Sequence, residues 1–506
     1  MDRWVEEGIR AFKRIPQPLF HLLFGLCIGW LVREGQPIYL ASIASVIFFV
    51  ALSKYITEEK RGLNFPFFMT GFQISLNLWM LDLKNPPGYE ILRIFGLFLV
   101  LFFSLWIAAQ FWVCRKVLPS KIQLSSIFGF IGLITLFEWH RLAFFCGYNF
   151  YHVSYLLDFI PRGERVFAFF GVHGATFLVL AAFLPPLIFP KKRSSYWFTI
   201  LFICSLFTPQ FTTFKKRFKV GILHTDLQPW GTDEKEYRKE FSRLLSQVDG
   251  IDLLVLSETS VPGKYFFDYP QDIHSEILLR CLRIENELIQ LSFNKDIDIV
   301  VGHIHPGSEN KSYNSATLIH KGNVVGRYDK MRLLSVMESK WDFLPEGIQE
   351  ALDTGHFEAG RQKVLLQGKY LYGFNICYDD YFGGDCHPFG LKGADLILSM
   401  HNDVWVDNPF FRLNHFRQSW LRGVENGIPS IRSANGGLSG FCTADGRQHL
   451  LPTQTGIVTV EIPLEKNLGT YPYFKDRLAL MISLICVLSL FSGLSFEKLL
   501  AVRRRP

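Results

Sequence analysis

Hydrophobic positions along the chain follow two regimes that change over near residue 210. Before it lie seven long apolar runs: Leu19–Val32, Ile38–Tyr55, Phe65–Leu81, Ile91–Val113, Ile122–Phe137, Val166–Phe189 and Ser195–Phe207. An eighth, Leu478–Leu494, comes near the end. Runs of this kind predict membrane-spanning helices, the shorter ones extended by flanking polar residues to the roughly 20 residues a span needs. Pro185-Pro186 is expected to kink or end the sixth, and His173 inside it to serve an interhelical hydrogen bond or a function.

Between the seventh and eighth runs the pattern becomes that of a soluble α/β domain. Short apolar stretches predict strands at Phe218–Leu223, Ile251–Leu256, Asp298–Gly302, Tyr370–Cys377, Asp395–Met400, Ser430–Ser433, Gly440–Thr443 and Gly456–Glu461. Ser315–His320 and Val324–Tyr328 read as a hairpin across Lys321-Gly322-Asn323. Glu234–Val248, Ile273–Phe293 and Phe411–Glu425 carry helical periodicity. Strands that alternate with helices in places and pair as hairpins elsewhere predict two mixed sheets with helices outside. The expected domains are 1–210, a membrane domain of about seven helices; 211–473, catalytic; and 474–506, a last span with a basic tail.

Composition agrees, at 49% hydrophobic with 49 Phe and 20% charged residues. The net charge of +7 resides in clusters beside the spans. Basic residues precede the first run (Arg3, Arg10, Lys13, Arg14) and follow the second (Lys54, Lys60, Arg61), the fourth (Arg115, Lys116, Lys121), the sixth (Lys191-Lys192-Arg193) and the last (Arg503-Arg504-Arg505). These alternate connections belong on the cytoplasmic side, which sets 211–473 on the opposite face, the periplasm of a Gram-negative cell. The first basic cluster and run read as a retained signal anchor. No Lys/Arg stripe interleaved with aromatics marks the soluble part, so nucleic acid is not an expected partner. The aromatic loop 138–165, with His140, Phe144, Phe145, Tyr148, Phe150, Tyr151, His152 and Tyr155, reads as an interfacial belt or a lipid-facing entrance.

Chemistry concentrates at strand ends. Leu371–Ile376 delivers Cys377 to the rim of a sheet, Leu253–Leu256 leads to Glu258, and Tyr328-Asp329 leads to Lys330. A thiol in that setting attacks a carbonyl. A carboxylate takes its proton, and an ammonium faces the oxyanion. Cys386 is close enough in sequence to pair with Cys377, but a disulfide would disable the nucleophile. His303 and His305 have ligand-like spacing without matching cysteines or carboxylates, and read as surface residues with no metal.

With these motifs in place the chain resembles the nitrilase superfamily, and within it the apolipoprotein N-acyltransferases. The residues that carry the likeness are Glu258 in Leu-Ser-Glu-Thr-Ser-Val-Pro, Lys330 in Gly-Arg-Tyr-Asp-Lys and Cys377 in Ile-Cys-Tyr-Asp. Tyr313-Asn314-Ser315 and the Asn402-Asp403-Val404-Trp405 segment add to it, as do Glu425 and Ser433-Ala434-Asn435-Gly436-Gly437. The resemblance implies a multi-span α-helical membrane domain, about eight transmembrane helices in all, plus a nitrilase-like α-β-β-α sandwich. It implies Glu258, Lys330 and Cys377 as catalytic residues. Glu338, Asp379, Tyr313, Asn314, Asn402, Trp405 and Glu425 would support them. Departures from the family pattern are Ser335-Val336-Met337-Glu338 for Pro-Phe-Gly-Glu, Asp379 for Glu, and Ser257 for Pro.

The activity implied is transfer of a phospholipid acyl chain, through a Cys377 thioester, to the N-terminal amine of a diacylglyceryl-lipoprotein. The setting implied is the bacterial inner membrane, with no cofactor and a monomeric state. Two alternatives use the same residues differently: a membrane-bound amidase that admits water to the thioester, and a catalytically impaired lipoprotein-binding protein.

Overall fold

Long apolar runs satisfy their backbone groups internally as helices, and within the described residues they are helical. The computed structural model describes residues 16–32, 38–58, 64–82, 91–143, 151–208, 213–225, 234–261, 275–308, 311–334, 338–339, 357–386, 388–467 and 469–491. The N-terminal helices are α1 (Gln17–Leu31), α2 (Ile38–Thr57), α3 (Asn64–Asn77), α4 (Ile91–Lys116), α5 (Leu124–Ala143), α6 (Glu164–Ile188) and α7 (Trp197–Phe207). Three stretches among the described residues are long and apolar enough to cross a membrane: Leu40–Thr57, Gly96–Lys116 and Glu164–Ile188. The basic termini, Lys60 and Arg61, Ser335–Met337, and Phe144, Phe145, Tyr148 and Phe150 lie outside the described residues.

The expectation for Pro185-Pro186 in α6 needs correcting in part. The helix runs through Pro185 and Pro186 and ends at Ile188, while its break lies earlier, at Gly171 (φ 63°, ψ −175°). A Cβ there would sit 2.1 Å from the Tyr471 ring, so only glycine meets both the backbone and the space. His173 makes an edge-to-face contact with His152, and its Nδ1 has no hydrogen-bond partner among the described residues.

The remaining chain builds two six-stranded sheets. The first runs β12-β1-β2-β3-β4-β5 and the second β11-β10-β9-β8-β7-β6. The first uses β1 (Thr213–His224), β2 (Leu253–Val255), β3 (Asp298–Pro306), β4 (Ser312–His320), β5 (Asn323–Asp329) and β12 (Gly456–Lys466). The second uses β6 (Leu365–Gln367), β7 (Leu371–Ile376), β8 (Leu396–Asn402), β9 (Ser430–Asn435), β10 (Gly440–Cys442) and β11 (Gln448–Leu450). Each has three parallel central strands, β1-β2-β3 and β7-β8-β9, with antiparallel partners outside. The edge strands β6 and β11, three residues each, carry no alternation long enough to flag them.

Strand alternation sorts the core. Val220, Ile222, Leu253, Val255, Leu318, Phe374, Ile376, Leu398 and Ile431 fill the space between the sheets. Their neighbours Leu254, Ile299 and Val301 face outward, onto helices α8 (Glu234–Leu245) and α9 (Ser275–Lys295). Helix α10 (Pro409–Asn426) flanks the second sheet, giving four layers, α-β-β-α. His303 and His305 are buried in β3, not on the surface; His303 Nε2 is 2.8 Å from Thr317 Oγ1 on the paired strand.

The two parts join through α10. Phe410, Phe411, Trp420, Leu421 and Val424 belong to the same buried cluster as the N-terminal helices. Trp79 lies 4.6 Å from Phe411, ring to ring. Polar ties border this contact: Arg417 pairs with Asp158, and Tyr155 donates to Gln418 Oε1 (3.1 Å). The final helix, α11 (Arg477–Phe491), returns to pack on α5 and α6.

Candidate active site

Strands β2 and β7 end on the same rim of the sandwich, and open parallel sheets keep their functional side chains just past such ends. Beyond β7 the chain turns at once into a short helical turn, Cys377–Tyr381. The turn forces Cys377 to φ +51°, a left-handed conformation rare for a residue with a side chain. Its thiol is free and buried, and the Cys386 side chain lies outside what is described.

Asp379 holds that turn. Its Oδ2 accepts from the Ile376 backbone N–H (3.1 Å) and the Tyr328 hydroxyl (2.6 Å) and faces Lys363 Nζ at 3.1 Å. Its Oδ1 accepts from Arg332 N–H (2.9 Å). The turn that carries Cys377 is thereby tied to the segment that follows Lys330.

Glu258 follows β2 directly, and Lys330 follows β5. Lys330 Nζ donates to Glu258 Oε1 at 3.2 Å and Glu338 Oε1 at 2.8 Å, with 1% of its side chain exposed. Asn314 Nδ2 bridges the same two oxygens at 2.7 and 3.1 Å. Leu334 N–H closes on Glu338 Oε2 at 2.6 Å. Glu258 Oε2 is buried without a hydrogen-bond partner among the described residues.

Burial shapes the ionisation of all three groups. It pushes the Glu258 carboxyl above the usual range, opposed by Lys330 and reinforced by Glu338. Burial also works against the Lys330 ammonium, but Cys377, Glu258 and Glu338 outweigh it and hold Lys330 charged. The Cys377 thiol is pushed well up by burial and by Glu258, with Lys330 pulling it back.

Other expected residues divide. Asn402 Nδ2 donates to Thr259 Oγ1 (3.2 Å), steadying the residue after Glu258, which has φ +47°. Trp405 Nε1 donates to the Asn402 carbonyl (2.6 Å), and its ring packs on Phe411. Tyr313 points the other way from Asn314, as strand alternation requires; Arg327 lies over its ring at 5.8 Å and Glu358 takes its hydroxyl. Glu425 sits where α10 meets α6, accepting from Val172 N–H (3.3 Å) and pairing with Arg422 (3.1 Å).

Sequence reasoning missed a buried run of polar groups behind Cys377: Asp380, His401, His415, Asp403 and Arg432. The available signal was spacing, with Ser399 and His401 two apart on β8, and His415 and Ser419 four apart on α10. Two groups of ligand-type side chains come together among the described residues, Cys377 with His401 and His415, and Glu138 with His152 and His173. In the first, both nitrogens of each ring are already engaged within the run.

A carbon-nitrogen hydrolase family model matches residues 227–467. The chain is 24% identical to an apolipoprotein N-acyltransferase 1 of Treponema denticola over 91% of its own length and 92% of the relative's. It is 24% identical to an apolipoprotein N-acyltransferase of Haemophilus ducreyi over 73% and 76%. A crystal structure of a carbon-nitrogen hydrolase from Helicobacter pylori G27 covers 49% of this chain and 90% of its own, at 16% identity and a TM-score of 0.38. A carbon-nitrogen hydrolase domain joined to a helical region, aligned nearly end to end with such a relative, places the chain in the apolipoprotein N-acyltransferase family of the nitrilase superfamily.

Proposed function

We propose that this enzyme moves an acyl chain from a membrane phospholipid to the α-amine of a lipoprotein's diacylglyceryl-cysteine, with Cys377 as nucleophile. The observation that carries the reading is the buried Lys330 ammonium, held between Glu258 and Glu338 and acting electrostatically on Cys377.

In the first step Glu258 takes the thiol proton as sulfur attacks the ester carbonyl, and Lys330 faces the oxyanion that develops. Collapse breaks the ester C–O bond, and Glu258 returns the proton to the departing lysophospholipid oxygen. In the second step the lipoprotein amine attacks the thioester and gives its proton to Glu258. The C–S bond then breaks, and the thiolate regains a proton. Asn314 and Glu338 hold the Glu258–Lys330 pair in register, while Asp379 and Asn402 fix the turns that present Cys377 and Glu258.

Supporting a membrane setting are the apolar helices and the burial of α10 among them. Both substrates are lipid-anchored, and each methylene drawn into water costs about 0.8 kcal/mol. We read the eight apolar runs as eight spans, residues 1–210 and 474–506 as the membrane parts, and 211–473 as a periplasmic domain of a monomeric inner-membrane protein.

The test is mass spectrometry of the purified protein given phospholipid and a diacylated lipopeptide. An acyl adduct on Cys377 and an amide on the lipopeptide are expected. Free fatty acid with no acylated lipopeptide would select the hydrolytic reading instead.

A further inference from the structure

The buried run behind Cys377 has no part in the steps above, and its hydrogen bonds do not balance with neutral histidines. His401 Nε2 lies 2.9 Å from Asp380 Oδ2, and His415 Nδ1 lies 2.8 Å from Asp403 Oδ1. The other two nitrogens, His401 Nδ1 and His415 Nε2, face each other at 3.1 Å. Each of these three contacts joins two atoms that are both acceptors unless a proton lies between them. Two neutral imidazoles bring only two protons.

Neighbouring groups cannot supply the third. Ser419 Oγ accepts from Arg432 Nη1 (3.1 Å), and its single proton goes to Asp380 Oδ2 at 2.6 Å, a much shorter contact than the 3.2 Å to His401 Nε2. Asp380 Oδ1 already takes Asn375 Nδ2 (2.7 Å) and Ser399 Oγ (3.2 Å). Asp403 Oδ2 takes Arg432 Nη2 (2.6 Å). Charge leads to the same conclusion. Two buried carboxylates face one guanidinium, and one more positive charge makes the run neutral, as a site closed to water requires.

We propose that His401 and His415 share one proton as an imidazole–imidazolium pair, and that this buried charge acts with Lys330 to favour the Cys377 thiolate. A ring nitrogen of each histidine lies within 4.8 Å of the Cys377 sulfur. The two are positioning residues, acting on sulfur through the field rather than by contact. The inference rests on Cys377 being the nucleophile.

Groups around the pair pull in both directions. Burial, then Arg432, presses His401 well below its ordinary pKa, and Lys330 adds to this. Burial likewise lowers His415, opposed by Asp403 and Asp380. Tyr381, stacked on His415, stays neutral because burial raises its pKa well above the usual value. These influences disfavour positive charge on the rings; the shared proton is called for by the three contacts and by the two carboxylates that face the pair.

Iodoacetamide labelling of Cys377, followed against pH by peptide mass spectrometry, tests this without any lipid. In His401→Gln, whose amide hydrogen-bonds but takes no charge, the labelling midpoint should rise by about one pH unit. Labelling at neutral pH should then be about tenfold slower. Superimposable profiles in wild type and a folded His401→Gln would overturn the proposal. Should the variant fail to fold, nitrogen-15 spectra of the histidine-labelled wild type decide. Among the ring resonances that move when Cys377 is alkylated, three protonated nitrogens support the pair and two refute it. Acyl transfer by the wild type with unshifted labelling would remove this inference alone. A shifted profile in a protein that transfers no acyl chain would remove the acyl-transfer reading alone.

Discussion

Lys330 has no water to fall back on: its ammonium depends on two carboxylates and on the thiol it serves. Lys330→Met should therefore reduce acyl-enzyme formation nearly as far as Cys377→Ala, each by about 10⁴-fold or more, with melting little changed for the cysteine variant. Intact-protein mass spectrometry reads both, and wild-type adduct in either would end the assignment. Because burial raises the Glu258 carboxyl, its base form appears only as pH climbs above the ordinary carboxylate range. The single-turnover acylation rate should rise over that displaced range, and Glu258→Gln should flatten the profile about 10³-fold lower. A limb at the ordinary carboxylate value would contradict this. Glu425 carries a linked effect on stability. Burial lifts its carboxyl from 4.5 to about 7, so the folded state holds the proton more tightly. The stability it contributes is full below the ordinary value and lost as pH rises through about 7. Glu425→Gln should melt close to wild type at pH 5 and above it at pH 8.

At the scale of elements, glycines decide how closely backbones approach. Gly302 on β3 lies under the turn that carries Glu258, where a Cβ would stand 2.3 Å from the Ser257 carbonyl oxygen and 2.8 Å from Glu258 Cα. Gly302→Ala should displace the carboxylate and slow acylation about 100-fold while the protein still folds. Turnover about 100-fold slower in a protein that folds with a lowered melting temperature is the expected pair of readings, and unimpaired turnover would refute it. A glycine inside a strand is the sequence mark of such an approach, but Gly302 stands at the end of the predicted strand and drew no notice there. Other features were legible. The strands ending at Glu258 and Cys377 announce themselves because an apolar run stops abruptly at a reactive side chain. The buried histidines did not: His303 and His401 are polar letters in apolar strands, and their partners Thr317 and Asp380 are set by strand pairing and by the turn after β7. Tyr313 and Asn314 are adjacent in sequence but face opposite sides of β4, so the role of one says nothing about the other.

For the molecule as a whole, the division into helical and α/β parts was readable because composition changes sharply near residue 210. How the parts meet was not. Joining Arg417 to Asp158, and Phe411 to Trp79, requires the fold, since nothing local in the sequence links such distant residues. The outward-facing orientation proposed above makes a direct prediction. A cysteine introduced at Lys295, exposed on α9, should react with a membrane-impermeant maleimide once the outer membrane alone is opened. Labelling only after the inner membrane is breached would reverse the topology.

Helix α11 has a consequence for the order of synthesis. It closes against α5 so tightly that a Cβ on Gly129 would meet Leu490 at 2.2 Å and one on Gly132 would meet the Ser483 carbonyl at 2.5 Å. That berth stays empty while the ribosome makes everything between, including both sheets. The helical part of the protein thus reaches its final packing only after the last segment has been made, with the α/β domain tethered at both ends. Nascent chains released before Arg477 should be degraded in the cell, even though their sheets are complete.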